Sequence, residues 1–162
     1  MVLHPPHLQP IEARVLFVRA NGVLYASSGS AEMTRRYVWA PLLESLLEPH
    51  PDVCLVYLRS QDESADIAGL RAGLGRLGQR LIEVVAADDA SLEKSMRDWR
   101  RHHPEVAHGR LLAAEGLMAG TECIACDPEQ GIRSESAQAA LRDWLVGDCC
   151  APAWESAPVA AM

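Results

Sequence analysis

Short, unbroken runs of apolar residues alternate along this chain with stretches whose apolar residues recur at helical spacing. The apolar runs are 14–18, 53–58, 81–85, 110–114 and 122–126. Each is about the length of a strand, and apolar residues along the whole run indicate burial on both faces of a sheet. This alternation restricts the chain to α/β architectures more strongly than any other feature of the sequence.

Helical patterns fill the intervals between the runs. They cover 38–48, 64–77, a helix capped by Ser91 and closed before Pro104, and a helix capped by Ser134 that ends at Gly147. Three glycines weaken the pattern in 64–77. Strands that alternate with helices predict a three-layer α/β sandwich around a mainly parallel, Rossmann-like sheet.

A single domain accounts for the 162 residues, of which 49% are apolar and 23% charged. We expect a poorly ordered lead-in over 1–13, the α/β domain over 14–147 and a flexible tail over 148–162. The start shows no secretory or membrane-spanning pattern, and five irregularly spaced cysteines do not form a secreted disulfide framework. A cytoplasmic protein with free thiols and no membrane partner is therefore expected.

Charge is distributed unevenly. The net charge is −7, and residues 104–162 contain nine acidic and three basic residues. Basic residues form no long stripe with interleaved aromatics, so we expect no nucleic-acid partner. A small basic helix face at Arg97, Arg100 and Arg101 is typical of a solvated surface.

Ligand sites in parallel sheets lie beyond the carboxyl ends of the strands. The residues that follow the predicted strands are Arg19, Asn21, Arg59, Ser60, Glu115 and Asp127. These positions are the first candidates for a functional site.

The segment Val15-Leu-Phe-Val-Arg-Ala-Asn-Gly-Val-Leu24 resembles the first motif of the haloacid dehalogenase (HAD)-like hydrolases, which is an apolar strand, Asp-x-Asp and Gly-Val-Leu. The resemblance continues in order through Cys54-Leu-Val-Tyr-Leu-Arg-Ser60, the helix with Lys94, Leu111-Leu-Ala-Ala-Glu115 and the segment from Cys126 to Ile132. It implies that Arg19, Asn21, Lys94 and Glu115 occupy the positions of the family's catalytic residues.

Two of these positions lack the required carboxylates. Arg19 stands at the nucleophile's position, and a permanently charged guanidinium can neither attack phosphorus nor hold magnesium. Asn21 stands at the general acid/base position and cannot exchange a proton near neutral pH. We therefore assign no catalytic residue and expect a pseudoenzyme without a cofactor, in which magnesium enters only if the enzyme alternative below holds.

Four interpretations of the altered site stay open. Arg19, with Arg59, Ser60 and Lys94, binds an anionic or phosphorylated ligand, or Arg19 simply pairs with Glu115 or Asp127. Alternatively the protein is a hydrolase of altered mechanism that uses Glu115, Asp127 or a neighbour, or it is a protein-interaction subunit with a filled cleft. The oligomeric state is open in all four.

Metal binding is not predicted. Cys123 and Cys126 have a metal-ligand spacing, but residues three apart on a strand face opposite sides. Neither Cys149-Cys150 nor the loop histidines His102, His103 and His108 complete a ligand set of sensible spacing. Buried thiols are the simpler interpretation of the cysteine pair.

Overall fold

The computed structural model describes residues 14–26, 37–60, 66–106, 108–117 and 123–150, with side chains as far as residue 147. The predicted lead-in 1–13 and residues 151–162 of the predicted tail lie outside the described residues.

Five parallel strands form one sheet. They are β1 (Arg14–Val18), β2 (Val53–Arg59), β3 (Leu81–Ala86), β4 (His108–Ala114) and β5 (Cys123–Cys126), in the spatial order β3-β2-β1-β4-β5. Every pairing is parallel, and Phe17 of β1 lies between Val56 and Leu111. The predicted α/β class with a parallel, Rossmann-like sheet is confirmed.

In the described part of the chain, four α-helices accompany the sheet. They are α1 (Ala40–Leu47), α2 (Ile67–Leu74), α3 (Leu92–His102) and α4 (Glu135–Cys150). Short 3₁₀ segments, Gly75–Arg80 and Asp89–Ser91, follow α2 and precede α3.

The direction of the chain across the sheet explains which face each helix covers. From β1 to β3 the chain moves one way, and right-handed crossovers place α1 and α2 on the same face. It then returns past β1 to β4, which places α3 on the opposite face. The packing agrees, since α1, α2 and α4 share one core cluster and α3 belongs to the other.

The core therefore has two layers, divided by the sheet. Leu16 and Val18 of β1 face the layer with α1, α2 and α4, whereas Val15 and Phe17 face α3. In the α3 layer, the ring of Trp99 meets Phe17 edge to face with the centroids 5.5 Å apart. All four of these β1 side chains are buried, as the unbroken apolar run predicts.

Two predicted helix ends are wrong. Helix α4 continues through Gly147 to Cys150. A glycine costs a helix only about 1 kcal/mol, and the buried side chains of Trp144 and Leu145 just before it hold α4 against the sheet. The second predicted helix ends early, at Leu74, because the next residue, Gly75, adopts φ +67°, outside the α-helical region.

The two predicted helix caps have different outcomes. The Ser134 hydroxyl accepts a hydrogen bond from the Ala137 amide at 3.5 Å, as a cap of α4 should. Ser91 precedes α3 as predicted, but its side chain makes no cap bond to that helix. Its hydroxyl instead donates to Asp88 Oδ1 at 2.7 Å.

A buried cation begins the central strand. Arg14 is 3% exposed, and its guanidinium donates to both carboxylate oxygens of Asp52, at 2.6 and 3.0 Å. It also donates to the Leu145 carbonyl at 2.7 Å and lies 5.5 Å from the ring centroid of Trp144. The amino end of β1 is thereby joined both to the segment before β2 and to α4.

No described helix combines the length and the apolar character needed to cross a membrane.

Candidate functional site

The carboxyl edge of the sheet brings the loops after all five strands together. The order of the strands reverses between β1 and β4, and such a switch point opens a crevice in parallel sheets. Arg19 follows β1 at this point, and its backbone amide donates to the Leu112 carbonyl of β4 at 3.1 Å. The predicted site is thus centred on a real topological feature.

The side chain of Arg19 extends from the switch point toward β2 and β3. Its Nη1 donates to the Leu58 carbonyl at 3.0 Å, and its Nη2 donates to Asp89 Oδ1 at 2.7 Å. The residue is 2% exposed. A guanidinium buried to this extent needs a counterion, and Asp89 supplies it.

Asp89 sits on the 3₁₀ turn between β3 and α3, and its side chain is 67% exposed. Asp88 shapes this turn by accepting a hydrogen bond from the Ser91 amide at 2.9 Å. The hydrogen bond from Ser91 holds the pKa of Asp88 below its ordinary value, outweighing burial, and the charge of Arg19 acts in the same direction. Two carboxylates therefore lie around one guanidinium.

The expected pairing of Arg19 with Glu115 or Asp127 is wrong. Both residues follow strands on the other side of β1, whereas the Arg19 side chain crosses the end of β2. Asp127 uses its Oδ1 within its own turn, accepting from the amides of Glu129 at 2.8 Å and Gln130 at 3.2 Å. Glu115 is exposed, and its amide donates to the Cys126 carbonyl at 2.8 Å.

Lys94 lies in the first turn of α3, and its charge is used on that helix. It belongs to the exposed face of α3, where its Nζ donates to Asp98 at 3.0 Å and its side chain is 73% exposed. An acid and a base four residues apart on a helix form this pair readily. The predicted contribution of Lys94 to an anion site is not supported by this contact.

Arg59 and Ser60 are half-buried at the end of β2, directly after the Leu58 carbonyl that Arg19 contacts. Both take part in contacts of their own. The Arg59 carbonyl accepts from the Ala87 amide at 3.0 Å, which ties the end of β2 to the segment that carries Asp89. These two predicted residues do lie at the same edge as Arg19.

Asn21 is exposed at the start of a tight turn that ends at Tyr25. The turn packs against the loop after β5, because the Ile132 amide donates to the Val23 carbonyl at 2.9 Å. Gly131 lies in this contact, where an added Cβ would stand 2.4 Å from the Val23 oxygen. The loops after β1 and β5 are therefore locked together.

The cysteine pair of β5 faces two ways, as predicted for a strand. Cys126 is buried in the layer with α4, whereas Cys123 packs against the α3 layer. Burial, with a smaller effect of Cys123, raises the pKa of the Cys126 thiol to about 12. Within the described ranges, no three His, Cys, Asp or Glu side chains are grouped as metal ligands would be.

The histidines near Pro104 contact different groups. His103 stacks on Trp99 with ring centroids 3.8 Å apart and Nδ1 2.8 Å from the Trp99 carbonyl oxygen. His102 contacts the Asp98 carbonyl at the end of α3 at 2.8 Å, and His108 is buried at the start of β4. The histidines thus serve different structural elements.

The sequence patterns nevertheless contained a signal for Asp89, which is missing from the predicted site residues. Asp88 and Asp89 follow the third predicted strand and so belong to the same edge as Arg19. Chemically, the guanidinium of Arg19, neutralised by Asp89, can act neither as a nucleophile nor as a metal ligand. Comparison with known proteins returns no matching family model, no matching curated protein and no matching solved structure. The function is therefore inferred from the fold and from the geometry of this edge.

Proposed function

We propose that this chain is a non-catalytic, HAD-like α/β domain that acts as a binding or regulatory protein. The observation that carries the proposal is the ion pair of the buried Arg19 with Asp89. The residue after the central strand, at the switch point, is thereby a structural cation. A carboxylate nucleophile would have to stand at this position for the HAD reaction.

The chemistry of the surrounding residues supports the same conclusion. Magnesium needs hard oxygen ligands, and a guanidinium at the centre of the edge supplies none. Asn21 lacks an exchangeable proton near neutral pH, so it cannot act as general acid or base. No cofactor is part of this proposal.

A hydrolase of altered mechanism is the less favoured alternative. It would need a free carboxylate near the switch point, and Asp127 is engaged by two amides of its own turn. Glu115 is left as the candidate, exposed after β4. An interaction subunit with a filled cleft agrees with the burial of Arg19 and belongs to the proposed class of binding proteins.

A phosphatase assay tests the proposal. The purified full chain is incubated with p-nitrophenyl phosphate, with and without magnesium, beside Arg19→Ala. The control is Arg101→Ala, which changes an exposed basic residue in the last turn of α3. We expect phosphate release at the rate of the buffer blank in all samples. Magnesium-dependent release that Arg19→Ala abolishes and Arg101→Ala preserves would show that the domain is an enzyme.

Thermal unfolding gives a second measurement on the same samples, because a ligand that binds only the folded state raises the melting temperature. Magnesium is expected to leave the melting temperature unchanged. A saturable rise with magnesium would favour the altered-mechanism hydrolase.

A further inference from the structure

The contact between Arg19 and Asp89 has the geometry of an oxyanion bound to a guanidinium. From it we infer that Asp89 is an internal competitor for an oxyanion ligand: a phosphate or carboxylate group binds Arg19 when Asp89 turns away. This inference rests on the proposed binding function and adds the class of ligand and its regulation. Asp89 then acts as an autoinhibitory contact that keeps the site closed.

Arg19 is fixed independently of Asp89. Its Nη1 is held by the Leu58 carbonyl, and its backbone amide is held by the Leu112 carbonyl of β4. These contacts come from two strands in the middle of the sheet. When Asp89 leaves, the guanidinium is still oriented with Nη2 toward the position of the former carboxylate, and an incoming oxygen finds a preorganised donor.

Asp89 is placed so that it can leave. Its side chain is 67% exposed, while Arg19 is 2% exposed, so the pair lies at the surface on one side only. Asp89 is carried by a 3₁₀ turn of three residues and not by a strand. Rotation of one exposed carboxylate into water uncovers Nη2 without disturbing the sheet.

Negative charge lowers the affinity for an oxyanion while Asp89 contacts Arg19. Asp89 contacts the guanidinium of Arg19, and Asp88 interacts with the same positive charge, so the two acidic residues outnumber the one basic residue and oppose an anion. The apparent dissociation constant equals the intrinsic one divided by the open fraction. If Asp89 leaves Arg19 open about one-tenth of the time, removing its charge tightens oxyanion binding about tenfold, equivalent to about 1.4 kcal/mol.

The test compares the unmodified full chain with Asp89→Asn and Asp88→Asn. The two variants lose the same charge from adjacent residues, and an asparagine at 88 keeps an oxygen that can accept from the Ser91 amide. Inorganic phosphate and acetate are titrated separately by calorimetry at constant ionic strength. We expect Asp89→Asn to bind at least one of them about tenfold more tightly, with Asp88→Asn changed by less than about threefold. Preference for phosphate identifies a phosphoryl ligand, and preference for acetate identifies a carboxylate ligand.

If both variants bind the anion more tightly by the same factor, the effect is one of net charge alone, and the inference is overturned. It is also overturned if Asp89→Asn binds the anion no more tightly than the unmodified chain. If Asp89→Asn does not fold, the Arg19 Nε–Hε resonance of the unmodified protein is followed by NMR during the phosphate titration, with Arg19→Lys used for assignment. A saturable shift supports the inference, and an unchanged resonance overturns it. Neither outcome depends on phosphate release, so failure of this inference is distinguishable from failure of the non-catalytic proposal.

Discussion

Replacing Gly131 by alanine tests how firmly the loops of the carboxyl edge are locked together. Gly131 has φ +55°, a left-handed conformation that costs a residue with a Cβ about 1–2 kcal/mol. The new Cβ would also stand 2.4 Å from the Val23 carbonyl oxygen and 2.5 Å from the ring of Trp39. The Val23 oxygen cannot retreat freely, because it accepts the Ile132 amide at 2.9 Å.

The free energy of unfolding should therefore fall by more than the backbone strain alone. Overpacking adds about 1–3 kcal/mol. Weakening the hydrogen bond between Ile132 and Val23 adds about 1 kcal/mol. Together with the backbone strain, the expected loss is about 3–6 kcal/mol.

Gly116→Ala is the matched control. Gly116 also has a positive φ, +93°, but an added Cβ there meets nothing within 4 Å. The loss of unfolding free energy in Gly116→Ala should be limited to the backbone strain, about 1–2 kcal/mol. Tryptophan fluorescence monitors the unfolding of both variants in urea. Their free energies of unfolding are compared with the same dependence on urea concentration. Losses that agree within about 0.5 kcal/mol would refute the reasoning, because contact with Val23 and Trp39 would then contribute nothing beyond the strain.

Three further predictions concern the core. Burial raises the pKa of Asp52, but Arg14 outweighs it and holds that pKa below its ordinary value. The pair therefore stabilises the fold above about pH 4, and this stability is lost as the pH falls through the lowered pKa. In Asp52→Asn, the free energy of unfolding should fall less steeply between about pH 4 and the lowered pKa. An unchanged fall would contradict the role of this ion pair. Iodoacetamide at pH 8 should modify Cys126 only after unfolding, because the Cys126 thiol is buried and has a pKa of about 12. Mass spectrometry of native and urea-treated samples measures the modification. Rapid labelling of Cys126 in the native sample would contradict the prediction. Trp99→Phe should lower the free energy of unfolding by about 1–2 kcal/mol more than Trp144→Phe. The reason is that Trp99 Nε1 donates to a carboxylate, whereas Trp144 Nε1 is buried without a partner among the described residues. Equal losses of stability in chemical unfolding would show that the hydrogen bond of Trp99 contributes nothing.

Much of the fold was predictable because each strand is a separate apolar run. The run from residue 14 to 18 coincides with β1, and the other strands differ from their runs by one or two residues. The predicted end of α4 was wrong because local helix propensity and tertiary packing favour different ends for this helix. Gly147 lowers helix propensity, but Trp144 and Leu145 anchor the turn before it, and α4 continues.

The candidate site was predictable only in part. The strand runs indicate that Arg19 lies at the carboxyl edge, but its guanidinium is several bonds from the backbone and can turn toward either neighbouring strand. Nothing in the local pattern decides between Asp89 beyond β3 and Asp127 beyond β5, since the choice depends on the order of the strands. Lys94 is a different case, because the spacing of four to Asp98 was a readable signal that its charge is used on its own helix.

The central strand carries a buried guanidinium at each end, and both of them contact groups of the same neighbour. Arg14 binds Asp52, just before β2, and Arg19 binds the Leu58 carbonyl near the end of β2. Between them lie four apolar residues that would pack almost as well after a shift of two residues along the sheet. A shift of one residue turns these side chains to the wrong faces, and a shift of two moves each guanidinium about 7 Å from its partners. The two arginines thus set the alignment of β1 against β2 from both ends, and misaligned pairings during folding leave two charges without counterions.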